Sequence, residues 1–136
     1  MKVLRSIILP ILLATVWISI SEFVRNEFLL KSYWTEHYEG LGLVFPSEPI
    51  NGALWGLWSL LFAVFMYILT RKFCPGQATL IGWLAAFAMM WVVTGNLDVL
   101  PLRILWYAVP LSLLEAFVAA LITWGLAKPA SDATGT

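Results

Sequence analysis

Apolar residues in this chain come in long runs, not in the alternating stripes of a half-buried surface. Four runs reach the roughly 20 residues, within a range of about 17–25, that a helix needs to cross a bilayer. They cover about 3–24, 50–70, 78–95 and 102–126. The first is interrupted by Pro10, and the last contains Pro110, whose ring and missing N–H predict a kink in the fourth helix. Cys74-Pro75-Gly76-Gln77 reads as a turn between the second and third runs. The short connections make runs two, three and four antiparallel neighbours. The pattern predicts an all-α fold: an integral membrane four-helix bundle spanning residues 1–127, followed by a flexible tail over 128–136.

The connector 25–49 is not ordinary loop sequence. Phe23, Phe28, Leu30, Trp34, Tyr38 and Leu41 recur at nearly helical spacing among Arg25, Glu27, Lys31, Glu36 and Glu39. An amphipathic helix is expected there, on the extracytoplasmic side between helices 1 and 2, either continuing helix 1 beyond the membrane or lying on its surface. Gly40 and Gly42 suit its C-terminal end, and Pro49 suits the first turn of the next helix.

Small residues repeat every four positions at Gly52 and Gly56, at Ala78, Gly82 and Ala86, and at Ser112, Ala116 and Ala120. Such stripes let helices approach closely in lipid, either within one bundle or between chains. Packing within the bundle is the simpler expectation.

Composition supports lipid as solvent. Hydrophobic residues make up 61% of the 136-residue chain and charged residues 12%, against about 25% charged in soluble domains. Lys2 and Arg5 before an apolar run, with Ser19-Ile20-Ser21 after it, mimic a signal peptide. The expectation is instead a retained first helix. Basic loops stay on the cytoplasmic side. With both termini cytoplasmic, Lys2, Arg5, Arg71, Lys72 and Lys128 lie inside, and Arg25, Lys31 and Arg103 outside. Glu22, Glu27, Glu36, Glu39, Glu48 and Asp98 then lie outside as well, and Asp132 inside.

Net charge is zero, so nothing points to nucleic acid as a partner. A single cysteine, Cys74, and a single histidine, His37, exclude an intramolecular disulfide, a Cys-rich zinc site and paired-histidine metal or haem ligation. Neither a Gly-rich phosphate loop nor HExxH occurs, and no cofactor is expected. His37 between Glu36 and Glu39 invites a metal or acid–base role on weak grounds, and Cys74 is expected to be a free thiol.

Two features bear on chemistry. Glu115 lies twelve residues after Arg103 and thirteen before Lys128, near the middle of helix 4. An ionised carboxylate there costs roughly 3 kcal/mol even on the lenient translocon scale, so it should face the bundle interior or a wet cavity. By depth, Thr15 and Ser59 are its expected neighbours, with no basic residue at that level. The second feature is an outer polar cluster: Glu22, Arg25 and Asn26 on one face of helix 1, Glu27 beside them, Asn51 on helix 2, Thr94, Asn96 and Asp98 ending helix 3, and Arg103 opening helix 4. Trp55, Trp91, Trp106 and Tyr107 are expected around it. Interfacial anchoring by aromatic residues is the competing explanation.

The stretches Arg25-Asn26-Glu27-Phe28-Leu29-Leu30-Lys31, Asn51-Gly52-Ala53-Leu54-Trp55-Gly56-Leu57-Trp58-Ser59 and Pro110-Leu111-Ser112-Leu113-Leu114-Glu115 resemble those of small four-helix bacterial inner-membrane proteins of no assigned activity. The resemblance spans about residues 1–127. It implies a bacterial inner-membrane setting and no particular reaction. The chain has the size of small multidrug and fluoride transporters but lacks the early helix-1 glutamate of the former, since Glu22 lies at the far end of that helix.

The leading expectation is a non-enzymatic protein that binds or transports a small solute, ion or lipid. Glu115 would be its proton or cation site, and Glu22, Arg25, Asn26, Asn51, Asn96, Asp98 and Arg103 its entrance. The partners are the bilayer and either further copies of the chain or another membrane subunit. A structural or accessory subunit of a larger complex is the alternative. A membrane enzyme acting on a lipid head group through Glu22, Arg25, Asn26 and Asp98 is a third.

Overall fold

The computed structural model describes residues 1–127, so the tail over 128–136, with Lys128 and Asp132, lies outside the described residues. The described chain is helical with short connections. Four helices are long and apolar enough to cross a membrane: α1 (Leu4–Leu29), α3 (Pro49–Thr70), α4 (Pro75–Asn96) and α5 (Leu102–Leu126). A shorter helix, α2 (Lys31–Gly40), sits between α1 and α3. Leu12, Leu61, Leu84 and Phe117 are among many large apolar side chains left exposed on all four long helices. An outward surface of this kind calls for an apolar solvent.

Proline sets several starts. Pro49 and Pro75 stand in the first turns of α3 and α4, where a missing N–H costs nothing. Gly42, at φ +71°, closes α2, a backbone conformation that favours glycine. Pro110 remains inside one helical run from Leu105 to Leu126. Helix α1 continues to Leu29, five residues beyond the expected end. It does so through a π-type turn over Val24–Leu29, in which the Leu30 N–H donates to the Arg25 carbonyl at 2.9 Å.

The core is built from small residues and a few rings. Ala14 and Ile18 of α1, Phe62, Ala63 and Met66 of α3, Ala78 and Phe87 of α4, and Ala116, Ala119 and Ala120 of α5 form one buried cluster. The stripes on α4 and α5 thus pack within the bundle, as expected; Gly82 lies against the Met66 thioether. The stripe on α3 does not. Gly52 and Gly56 are exposed, and a Cβ at either would meet nothing within 4 Å.

Helix α2 folds back over one end of the bundle. Leu30, Leu100, Ile104 and Ala108 form a second buried cluster, with Tyr33, Trp34 and Trp91 packed against it. The His37 Nε2–H donates to the Asp98 carbonyl at 2.6 Å, tying α2 to the α4–α5 connection. Of the amphipathic face read from sequence, Leu30, Trp34 and Tyr38 turn inward, whereas Phe23, Phe28 and Leu41 are exposed.

Candidate functional site

The first half of α4 (Pro75–Trp83) packs closely against α3 and α5, whereas Met89–Asn96, beyond a π-type turn at Leu84–Ala88, packs sparsely. The bundle therefore opens towards the α2 end. The opening is a cavity of about 460 Å³ reached by side chains of all five helices. That volume is in the range of small-molecule sites, about 300–1,000 Å³.

Aromatic rings make most of its wall. Trp34, Tyr38 and Phe45 form the roof, with ring centroids 5.3–6.4 Å apart. Trp55, Trp58 and Trp91 line the other side. Behind them Phe87 links Trp58 and Trp91, at 5.5 and 5.7 Å. Offset and edge-on contacts of this kind hold rings rigidly.

The polar floor comes mainly from α1. Glu22 and Arg25 are buried and ion-paired to each other. Asn26 Nδ2 donates to the second Glu22 oxygen at 2.8 Å, and the Trp34 indole N–H donates to Asn26 Oδ1 at 3.2 Å. One roof ring is thereby anchored to the floor. Arg25 also reaches past the cavity to Glu115. Its Nη1 donates to Glu115 Oε2 at 2.9 Å, and its guanidinium lies 5.1 Å from the Phe87 ring centre. The Ser21 hydroxyl donates to the same oxygen at 2.7 Å, and the Trp17 indole donates to the Glu115 carbonyl at 3.0 Å. Glu115 Oε1 is buried without a hydrogen-bond partner.

This geometry corrects the expected surroundings of Glu115. Its neighbours are Trp17, Ser21 and Arg25, not Thr15 and Ser59, whose hydroxyls bond back to Ile11 and Trp55 of their own helices. The expectation of no basic residue at its level fails for a reason of direction. Helical side chains lean towards the N-terminus of their own helix. Helix α1 runs towards the α2 end and α5 runs away from it, so Arg25 leans inward while Glu115 leans to meet it. Trp17, Ser21 and Arg25 recur every four residues on one face, and that spacing was the available signal.

The outer cluster is only partly assembled. Glu22, Arg25, Asn26, Glu27, Asn51 and Thr94 line the cavity. Asn51 also accepts the Glu48 N–H at 3.0 Å, capping α3. Asn96, Asp98 and Arg103 are exposed and do not line it. Asp98 occupies a left-handed turn at φ 60°, so its side chain belongs to the connection. Of the expected aromatic surround, Trp55 and Trp91 take part. Trp106 is 86% exposed, and Tyr107 stacks obliquely on Tyr33 instead. Without Asp98, the residue set for lipid head-group chemistry does not come together.

Fold and site together define a protein with four helices of membrane-spanning length and composition. It carries a buried carboxylate–guanidinium–carboxylate trio beneath an aromatic cavity. Comparison with protein-family models, curated proteins and solved structures gave no match.

Proposed function

We propose that this chain is a membrane protein that binds a small solute in the aromatic cavity and couples its movement to charge exchange at Glu22, Arg25 and Glu115. The observation that carries this reading is the charge count of the trio. Two carboxylates enclose one guanidinium, and Glu115 Oε1 has no partner. Each buried ion costs several kcal/mol to desolvate, and an unbalanced one is dearer still. Helices α3 and α4 carry no charged residue at all, so nothing on the facing helices offsets the remaining charge. One proton, or one cationic ligand, does.

The topology follows the positive-inside rule. With Arg25 buried, the described surface has Lys31 and Arg103 at the α2 end, against Lys2, Arg5, Arg71 and Lys72 at the other. The α2 end is then extracytoplasmic and the termini cytoplasmic, in a bacterial inner membrane.

The test uses proteoliposomes holding a pH gradient and a trapped pH-sensitive dye, exposed to a dialysable small-molecule extract of bacterial cells. Wild type should show extract-dependent proton movement, and Glu115→Gln should abolish it while the helical circular-dichroism signal is unchanged. Movement that persists in Glu115→Gln would make the carboxylate a packing element only.

The open stripe at Gly52 and Gly56 favours a second reading, in which the chain is a subunit whose α3 seats a partner helix.

A further inference from the structure

We infer that the cavity takes a lipophilic organic cation: a quaternary or protonated amine, or an onium ion, carrying apolar substituents. This rests on the reading of the cavity as a solute site and adds the sign and class of the solute.

Three independent features agree on the sign. The first is the charge of the lining. Glu22 and Glu27 face the cavity against Arg25 alone, and Arg25 is already engaged by Glu22 and Glu115 and lies over Phe87. A phosphate or carboxylate ligand would need a guanidinium with free donors and no competing anions. Here it would meet two carboxylates instead.

The second feature is the wall. Rings of Trp, Tyr and Phe make up roof and side of a cavity of about 460 Å³. The negative face of an aromatic ring attracts a cation within about 6 Å, and attracts it more strongly once water is excluded. The Trp34 N–H is occupied by Asn26, so that ring has no donor left for an anion. An anionic ligand gains nothing from such walls.

The third feature is the approach. Glu36, Glu39, Glu48 and Asp98 are exposed around the α2 end, against Lys31 and Arg103. A net acidic rim raises the local concentration of cations. The groups of the trio supply the counter-charge inside. Glu22 and Arg25 come from α1 and Glu115 from α5; α3 and α4 contribute no charge, and the nearest α2 charge, Lys31, is exposed and paired with Glu27 at 2.9 Å. Glu22 and Arg25 line the cavity and Glu115 lies behind Arg25, so a cation beside Glu22 and a proton on Glu115 are alternative ways to offset the same excess negative charge.

The test compares two probes of one shape and opposite charge, tetraphenylphosphonium and tetraphenylborate, on the purified full chain in neutral-lipid nanodiscs. Trp34, Trp55, Trp58 and Trp91 line the cavity, so tryptophan emission reports occupancy, with empty nanodiscs subtracted for partitioning. The cation should bind saturably and at least about tenfold tighter than the anion, a difference of about 1.4 kcal/mol. Trp55→Leu, at a half-exposed position where folding is not at stake, should weaken the cation about three- to tenfold and leave the anion unchanged. Equal or tighter binding of tetraphenylborate would overturn the assigned sign while leaving a solute site in place. Absence of saturable binding by either probe would overturn the assigned class. The extract-driven proton assay decides separately whether the cavity serves a solute at all.

Discussion

Arg25 and Glu115 are partners of unequal consequence. Removing the guanidinium leaves Glu22 and Glu115 buried and facing each other without a cation. Breaking a buried pair in this way costs about 3–5 kcal/mol. Glu115→Gln keeps the shape, retains an acceptor for the Ser21 hydroxyl and removes the excess charge, so its cost should stay near the value of one hydrogen bond, about 1 kcal/mol. Chemical denaturation in a mild detergent should therefore rank Arg25→Ala well below Glu115→Gln in stability. The reverse order would mean that Arg25 is solvated by head groups and not committed to the trio. Depth counting along the sequence found Glu115 as a buried carboxylate but gave it the wrong partners. It treated residues as points on a rod. An arginine side chain spans more than a helical turn, and the opposed directions of α1 and α5 decide which way each group leans. Asp98 and Arg103 show the converse error: polar residues at one level need not point at one place, since Asp98 sits in the left-handed turn of a connection and Arg103 on the exposed side of the first turn of α5.

The elements themselves were readable from length and hydropathy, since a run of apolar residues has one stable form in lipid. The boundaries of α3 and α5 differ from expectation by a residue or none. The expected span of α1 stopped at residue 24 because Arg25, Asn26 and Glu27 interrupt the apolar run, although the helical spacing beyond them was visible. Arg25 and Asn26 find their partners inside the bundle and Glu27 pairs with Lys31 at its surface, so the helix proceeds through them by a π-type turn, a feature frequent at functional sites. The small-residue stripes looked alike in sequence, yet only those on α4 and α5 pack within the chain. Gly82→Ala should push a Cβ into the Met66 thioether within a closed core and destabilise by about 1–3 kcal/mol. Gly56→Ala meets nothing and should be neutral or stabilising by up to about 1 kcal/mol through helix propensity. Thermal unfolding of the two variants in the same detergent checks the contrast. If α3 seats a partner helix, Gly56→Leu should also reduce the oligomer fraction in cross-linking, and an unchanged fraction would remove that second reading.

At the scale of the whole molecule, the bundle is polarised along its axis. One end is closed, with the Thr70 hydroxyl bonded to Thr123 at 3.1 Å and Arg71 donating to the Thr123 carbonyl at 2.7 Å. The other end is splayed, rimmed by acids and roofed by α2. Between them lies a trio whose charges do not cancel. The most direct test of its role is proton release in weakly buffered solution, measured as tetraphenylphosphonium binds the full chain. A shared counter-charge predicts about one proton released for each cation bound to wild type, and none for Glu115→Gln even where the cation still binds. Cation binding with no proton released from wild type, or with the same release from Glu115→Gln, would contradict it.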